Sequence, residues 1–240
     1  YCSELTNLIP VDAGPYVWTR MAFGEFWGFA FGFWMALAMY LTGAAYVVLA
    51  VDYIGNIIAL SPAVAFMIKA AFIIIFTIVN LRGLEEVSTL STIFCVIILV
   101  AFAAVAVVGL AHWTNNPFDP VMVQGENAFS SWGTGIAIGV WMYCGYVVIA
   151  YIGGEVENPQ IIPKGMKICI VLITLSYLLP TLGGIVSTGP WEEWGINIDY
   201  ATVLSRNLAP WAGVAFMICA VIAQCSIFNA SITSATRSFI

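Results

Sequence analysis

Six stretches of this chain are free of Asp, Glu, Lys and Arg but for one lysine: Phe26 to Val51, Tyr53 to Leu81 with Lys69 as its interruption, Val87 to Phe118, Asn127 to Gly154, Ile168 to Trp191, and Asn207 to Thr236. Each is long enough to cross a hydrocarbon layer, which takes about 20 predominantly apolar residues. Backbone donors and acceptors find no water in lipid, so a spanning segment must be a helix or part of a closed barrel. Barrel strands would read as shorter segments of alternating polarity. The chain therefore predicts an all-α membrane protein, a multi-spanning helical bundle. Composition points the same way: 62% of residues are hydrophobic and 8% charged, against about 45–50% and about 25% in globular proteins.

Spans are expected at approximately 26–51, 62–82, 88–111, 133–153, 166–188 and 210–236, with residues 1–9 the end of a truncated helix, all within one partial domain over 1–240. Turn chemistry punctuates them. Ser61-Pro62 opens the second, Asn80-Leu-Arg-Gly83 closes it, and Asn158-Pro159 with Pro163 separates the fourth from the fifth. Asp12 to Arg20 reads as a short amphipathic piece leading into the first complete span. The first ten residues lack a basic n-region and a long apolar core, so they do not read as a secretory signal.

Assigning alternate loops to opposite sides places Arg20, Arg82, Lys164, Lys167 and Arg237 together and Arg206 opposite them. The positive-inside rule makes the first side cytoplasmic, which fits a multi-pass protein of the cell membrane. Lys69 lies seven residues past Pro62, within reach of the outer interface for its four-carbon stem, and we read it as snorkelling rather than functional. Trp113, Trp132, Trp191 and Trp194 fall near the span ends of the outer loops, as interfacial anchors do.

Several chemistries are excluded. The formal net charge is −6 and the seven cations are dispersed, so no basic face exists for nucleic acid. The six cysteines are scattered without a CxxC pair and His112 is the sole histidine, which predicts no metal site and no cofactor. No Ser–His pair, no pair of mid-span aspartates and no counter-ion for Lys69 is present, so the chain is not expected to be an enzyme.

Two spans hold polar or conformationally special residues. Gly133 to Gly154 contains six glycines with Trp141, Tyr143, Tyr146 and Tyr151 among them, and Gly145 near the middle. Glycine weakens a helix by about 1 kcal/mol relative to alanine. An unwound turn at membrane depth survives where it faces protein or a water-lined cavity, and its freed backbone groups can hold a small zwitterion. Close helix packing through small residues is the other use of such glycines. The last span carries Gln224, Phe228 and Ser231 on one face, with Ser226, Asn229, Thr233 and Ser234. That stripe could line a substrate path or join neighbouring helices.

Two loop segments carry a resemblance. Gly14-Pro-Tyr-Val-Trp-Thr-Arg-Met-Ala-Phe-Gly-Glu-Phe-Trp-Gly28 resembles the loop between the second and third helices of amino acid permeases in the amino acid/polyamine/organocation (APC) superfamily. Gly154-Glu-Val-Glu-Asn-Pro-Gln-Ile-Ile-Pro-Lys-Gly165 resembles its loop after the sixth helix. Asn80-Leu-Arg-Gly83 and Ser234-Ala-Thr-Arg237 are weaker matches in the right order.

The resemblance implies a fragment running from the end of the second family helix through the eighth, part of a five-plus-five inverted-repeat transporter. It implies secondary active transport of amino acids by alternating access, as antiporter or symporter, with a small-molecule substrate, the lipid bilayer, and a proton or exchanged amino acid as partners. It also assigns substrate-binding positions: Trp141 as an aromatic gate, Cys144, Gly145 and Tyr146 as the unwound turn, Gly43 and Tyr46 on the third family helix, and Phe228, with Gln224 on the same face, on the eighth. Cation-carrying relatives often place a carboxylate just after the break, where this chain has Val147. A neutral amino acid is therefore expected, with a polyamine or cationic amino acid carrier as the alternative. A non-transporting nutrient sensor or subunit on the same scaffold is the alternative from another class.

Overall fold

The computed structural model describes residues 2–9, 11–119, 127–151, 156, 158, 161–190, 193–195 and 197–237. In chain order these residues form α1 (Cys2–Leu8), α2 (Gly14–Phe23), α3 (Glu25–Ile57), α4 (Pro62–Arg82), α5 (Leu84–Ala111), α6 (Ala128–Tyr143), a 3₁₀ segment (Cys144–Tyr151), α7 (Ile161–Ser187), α8 (Tyr200–Asn207) and α9 (Pro210–Arg237). The all-α expectation holds. Five helices, α3, α4, α5, α7 and α9, are long and apolar enough to cross a membrane. Phe66, Leu81 and Val107 stand largely exposed on them, an arrangement that water would penalise and hydrocarbon does not.

Local chemistry sets the helix ends. Ser61 caps α4 by accepting from the Val64 N–H at 3.4 Å, with Pro62 in the first turn where its missing donor costs nothing. Gly83 then stops α4 at φ 116°, a conformation that a side chain would strain. α7 begins at Ile161, earlier than the sequence suggested, because Pro163 is tolerated in a first turn. The outer segment expected as loop contains α8, nucleated by a capping box in which the Asp199 carboxylate accepts from the Thr202 N–H at 2.7 Å.

The chain divides into two compact units. The first comprises residues 1–101, 148–168 and 214–240. Its core is Val47 of α3, Phe76 of α4 and Cys225 and Phe228 of α9, with Phe72, Leu90 and Phe94 packed around them. Beside that cluster a polar network joins three helices. Asn80 Nδ2 donates to Asn229 Oδ1 at 2.9 Å, Thr233 Oγ1 donates to Asn80 Oδ1 at 2.7 Å, and Asn229 Nδ2 donates to Ser91 Oγ at 3.3 Å. Such pairing is what membrane-buried amides require.

In the same unit α2 lies against the start of α3. Gly28 and Gly32 leave room for the side chains of Arg20 and Tyr16, where added Cβ atoms would come within 2.6 and 2.9 Å. Ala13, held at φ 51°, donates its N–H to the Tyr151 carbonyl at 3.2 Å.

The second unit comprises residues 102–147 and 169–213. α5 and α7 meet there backbone to backbone at Gly109 and Gly183, a spacing that no side chain could share. Trp194 packs on Gly184 and donates its indole N–H to the Thr188 carbonyl at 3.3 Å. Asn207 of α8 donates to Thr188 Oγ1 at 2.9 Å.

Candidate functional site

The glycine-rich span is divided between two helix types. Asn127 caps α6 by accepting from the Ser130 N–H at 2.7 Å. The α geometry ends at Tyr143, and the Cys144 N–H bonds the Trp141 carbonyl three residues back. From there a 3₁₀ helix continues for eight residues to Tyr151. Runs of 3₁₀ beyond about four residues are uncommon, and one inside a longer helix often marks a hinge or a functional site. Cys144 and Gly145 are exposed, Trp141 is 64% exposed, and α6 has no buried residue. The side chains of Tyr146 and Val147 lie outside the described residues.

Two tyrosines tie this junction to α7. Tyr143 donates its hydroxyl to Thr174 Oγ1 at 3.0 Å, and Tyr177 donates its hydroxyl to the Met142 carbonyl at 3.1 Å. The two rings meet edge to face with centroids 5.7 Å apart. Sequence reasoning did not single out Thr174 or Tyr177. The available signal was their three-residue spacing, which puts both on one face of α7.

The remaining expected positions belong to the first unit. Gly43 of α3 faces α9, where an added Cβ would sit 3.7 Å from both Phe228 Cδ2 and Ser231 Cβ. Phe228 is 6% exposed and packs edge-on against Phe76 at 5.9 Å. Tyr46 packs against the same cluster. Gly43, Tyr46 and Phe228 are thus brought together by α3 and α9. Gln224, one turn before Phe228, has its Oε1 atom buried without a hydrogen-bond donor among the described residues. A buried acceptor in that state costs about 1–3 kcal/mol.

Charge is scarce around all of these positions. No Asp, Glu, Lys or Arg occurs in residues 26–51, 127–151 or 207–236. Among the described residues no group of three or more His, Cys, Asp or Glu is placed to hold a metal ion. Backbone groups, amides, hydroxyls and aromatic rings are what the arrangement offers a ligand, a set suited to a small polar solute.

Comparison with known proteins gives the following. A family model described as amino acid permease matches residues 1–239. A probable polyamine transporter of Arabidopsis thaliana is 29% identical over 197 residues, 80% of this chain and 40% of that protein. A polyamine transporter of Oryza sativa subsp. japonica is 26% identical over 219 residues, 87% of this chain and 40% of that protein. A serine/threonine exchanger of Bacillus subtilis is 27% identical over 185 residues, 73% of this chain and 40% of that protein. The chain spans about two-fifths of the length of these relatives.

Proposed function

Because the chain belongs to the amino acid permease family, we propose that it forms part of a carrier that moves a neutral amino acid across the cell membrane by alternating access. Its five long apolar helices and its family make it an integral membrane protein. The reading of the site rests above all on one observation: α6 gives way to 3₁₀ geometry at Cys144 within a stretch, residues 127–151, that holds no charged side chain. Backbone groups at such a junction, with the half-helix dipoles, suit the carboxylate and ammonium of a zwitterion. Trp141, Cys144, Gly145, Tyr146 and Val147 would line that junction; Gly43, Tyr46, Gln224 and Phe228, which belong to the other compact unit, are proposed by themselves as solute-facing positions of α3 and α9. Rocking of the helix containing the junction, with a proton or an exchanged amino acid as the coupled partner, would complete the cycle.

The neutral preference is an argument from desolvation. An additional cationic centre would need a partner carboxylate, and without one its burial costs several kcal/mol. Val147→Glu tests it. We expect the variant to gain competition of alanine uptake by arginine and putrescine, and an unchanged competition profile would count against Val147 as a pocket residue. A polyamine or cationic amino acid is the second reading, favoured by the two plant relatives, both named as polyamine transporters.

A further inference from the structure

We infer that Tyr177, together with Tyr143 and Thr174, positions the end of α6 and so sets the register of the backbone groups that follow Tyr143. The inference rests on the reading of the turn from Cys144 as the solute-binding element.

The geometry is that of a two-point staple inside one compact unit. Where an α-helix tightens to 3₁₀, the carbonyls of its last turn lose their partners four residues on and take closer, poorer ones. Here the Trp141 carbonyl takes the Cys144 N–H three residues on. In hydrocarbon an under-satisfied carbonyl has no water to turn to. Tyr177 supplies a donor from another helix, its hydroxyl reaching the Met142 carbonyl at 3.1 Å.

The neighbouring residue on α6 sends a bond the opposite way. Tyr143 donates to Thr174 Oγ1 at 3.0 Å, and Thr174 in turn donates to the Ile170 carbonyl at 2.8 Å, which fixes the hydroxyl's orientation. One bond therefore runs from α7 to α6 and one from α6 to α7, from consecutive α6 residues to α7 residues three apart. Two such contacts restrain both rotation of the α6 end about its axis and sliding along α7, and the edge-to-face ring pair fills the space between them. A turn held in register before the solute arrives binds it at lower ordering cost. Tyr177 touches no solute in this account. It acts through the Met142 carbonyl.

The test uses the full-length product of the gene, in phosphatidylcholine nanodiscs for hydrogen exchange and in liposomes for uptake of labelled serine and labelled putrescine. Removing one interhelical membrane hydrogen bond in Tyr177→Phe should raise amide exchange over residues 144–151 and raise the KM of the transported probe about three- to tenfold, with the maximal rate within about twofold. Tyr143→Phe, which keeps the ring and loses the other bond, should do the same to a lesser degree. Exchange over 144–151 left unchanged in both variants would overturn the inference. So would an equal rise along all of α7, the mark of a merely structural contact. Wild-type protein that moves neither probe would instead overturn the transport reading, and the exchange pattern would still decide whether Tyr177 holds the turn.

Discussion

Phe228 and Trp141 are both aromatic residues that the family resemblance assigns to the solute, and the fold treats them in opposite ways. Phe228 is 6% exposed inside a cluster drawn from α3, α4 and α9, whereas Trp141 is 64% exposed at the end of a helix with no buried residue. The region around Phe228 is closed by side chains from helices far apart in sequence and by a satisfied amide network. The region around Trp141 is held at one edge, by two hydroxyl contacts from α7, and leaves its backbone junction and its indole uncovered by the described residues. Membrane helices lack the hydrophobic drive that assembles soluble cores, so packing and hydrogen bonds decide which faces close. α9 has both and α6 has few.

The contrast can be broken most forcefully at its packed end. Phe228→Ala empties the cluster of Val47, Phe76 and Cys225 and should cost about 3–5 kcal/mol, read by thermal unfolding in detergent. A loss below about 1 kcal/mol would mean that this region is not packed as described.

Asn229→Ala comes next. It removes one of the two acceptors of Asn80 Nδ2 and the donor to Ser91 Oγ at a fully buried position, while Asn80 keeps its bonds to the Phe76 carbonyl and to Thr233. It should cost about 1–2 kcal/mol, since each membrane hydrogen bond averages about 0.6 and the lost volume adds more. Asn229→Leu would sharpen the result, for it fills the volume while still removing both hydrogen bonds. Ala13→Gly acts in the other direction. Relieving a left-handed alanine at φ 51° should stabilise the α2 contact by about 1 kcal/mol, visible as a higher midpoint of unfolding.

Trp141→Ala carries the smallest expected effect on the fold. An exposed side chain with few neighbours should cost within about 0.5 kcal/mol of stability, while solute affinity falls measurably. Were the stability losses of Trp141→Ala and Phe228→Ala to come out equal, the distinction between the two regions would be wrong.

Much of this arrangement is legible in one sequence because its signals are local. The positions of twenty charged residues in 240 mark the spans, Ser61-Pro62 marks the start of α4, and the glycine-rich stretch around Gly145 foreshadows the place where α geometry ends. α8 was also locally encoded, in Asp199 three residues before Thr202 and the apolar Val203 and Leu204, but a surplus of tryptophans made the segment read as an anchoring loop. What could not be read is which distant residues pair. Asn80 and Asn229 lie 149 positions apart, and in sequence they read as a helix terminator and a member of a polar stripe. Thr174 and Tyr177 look like ordinary residues of an apolar helix until the end of α6 is placed beside them. Nor does sequence tell an exposed aromatic from a core aromatic, since burial of Phe228 depends on Phe76 and Val47, which lie on two other helices.

The most direct measurement is competition for uptake. The full-length protein in liposomes is loaded with labelled alanine, and leucine, arginine and putrescine are offered as competitors. If a charge-free junction at Cys144 holds the solute, leucine competes strongly and the two cations do not. Competition by arginine and putrescine alone, with leucine inert, would contradict the account.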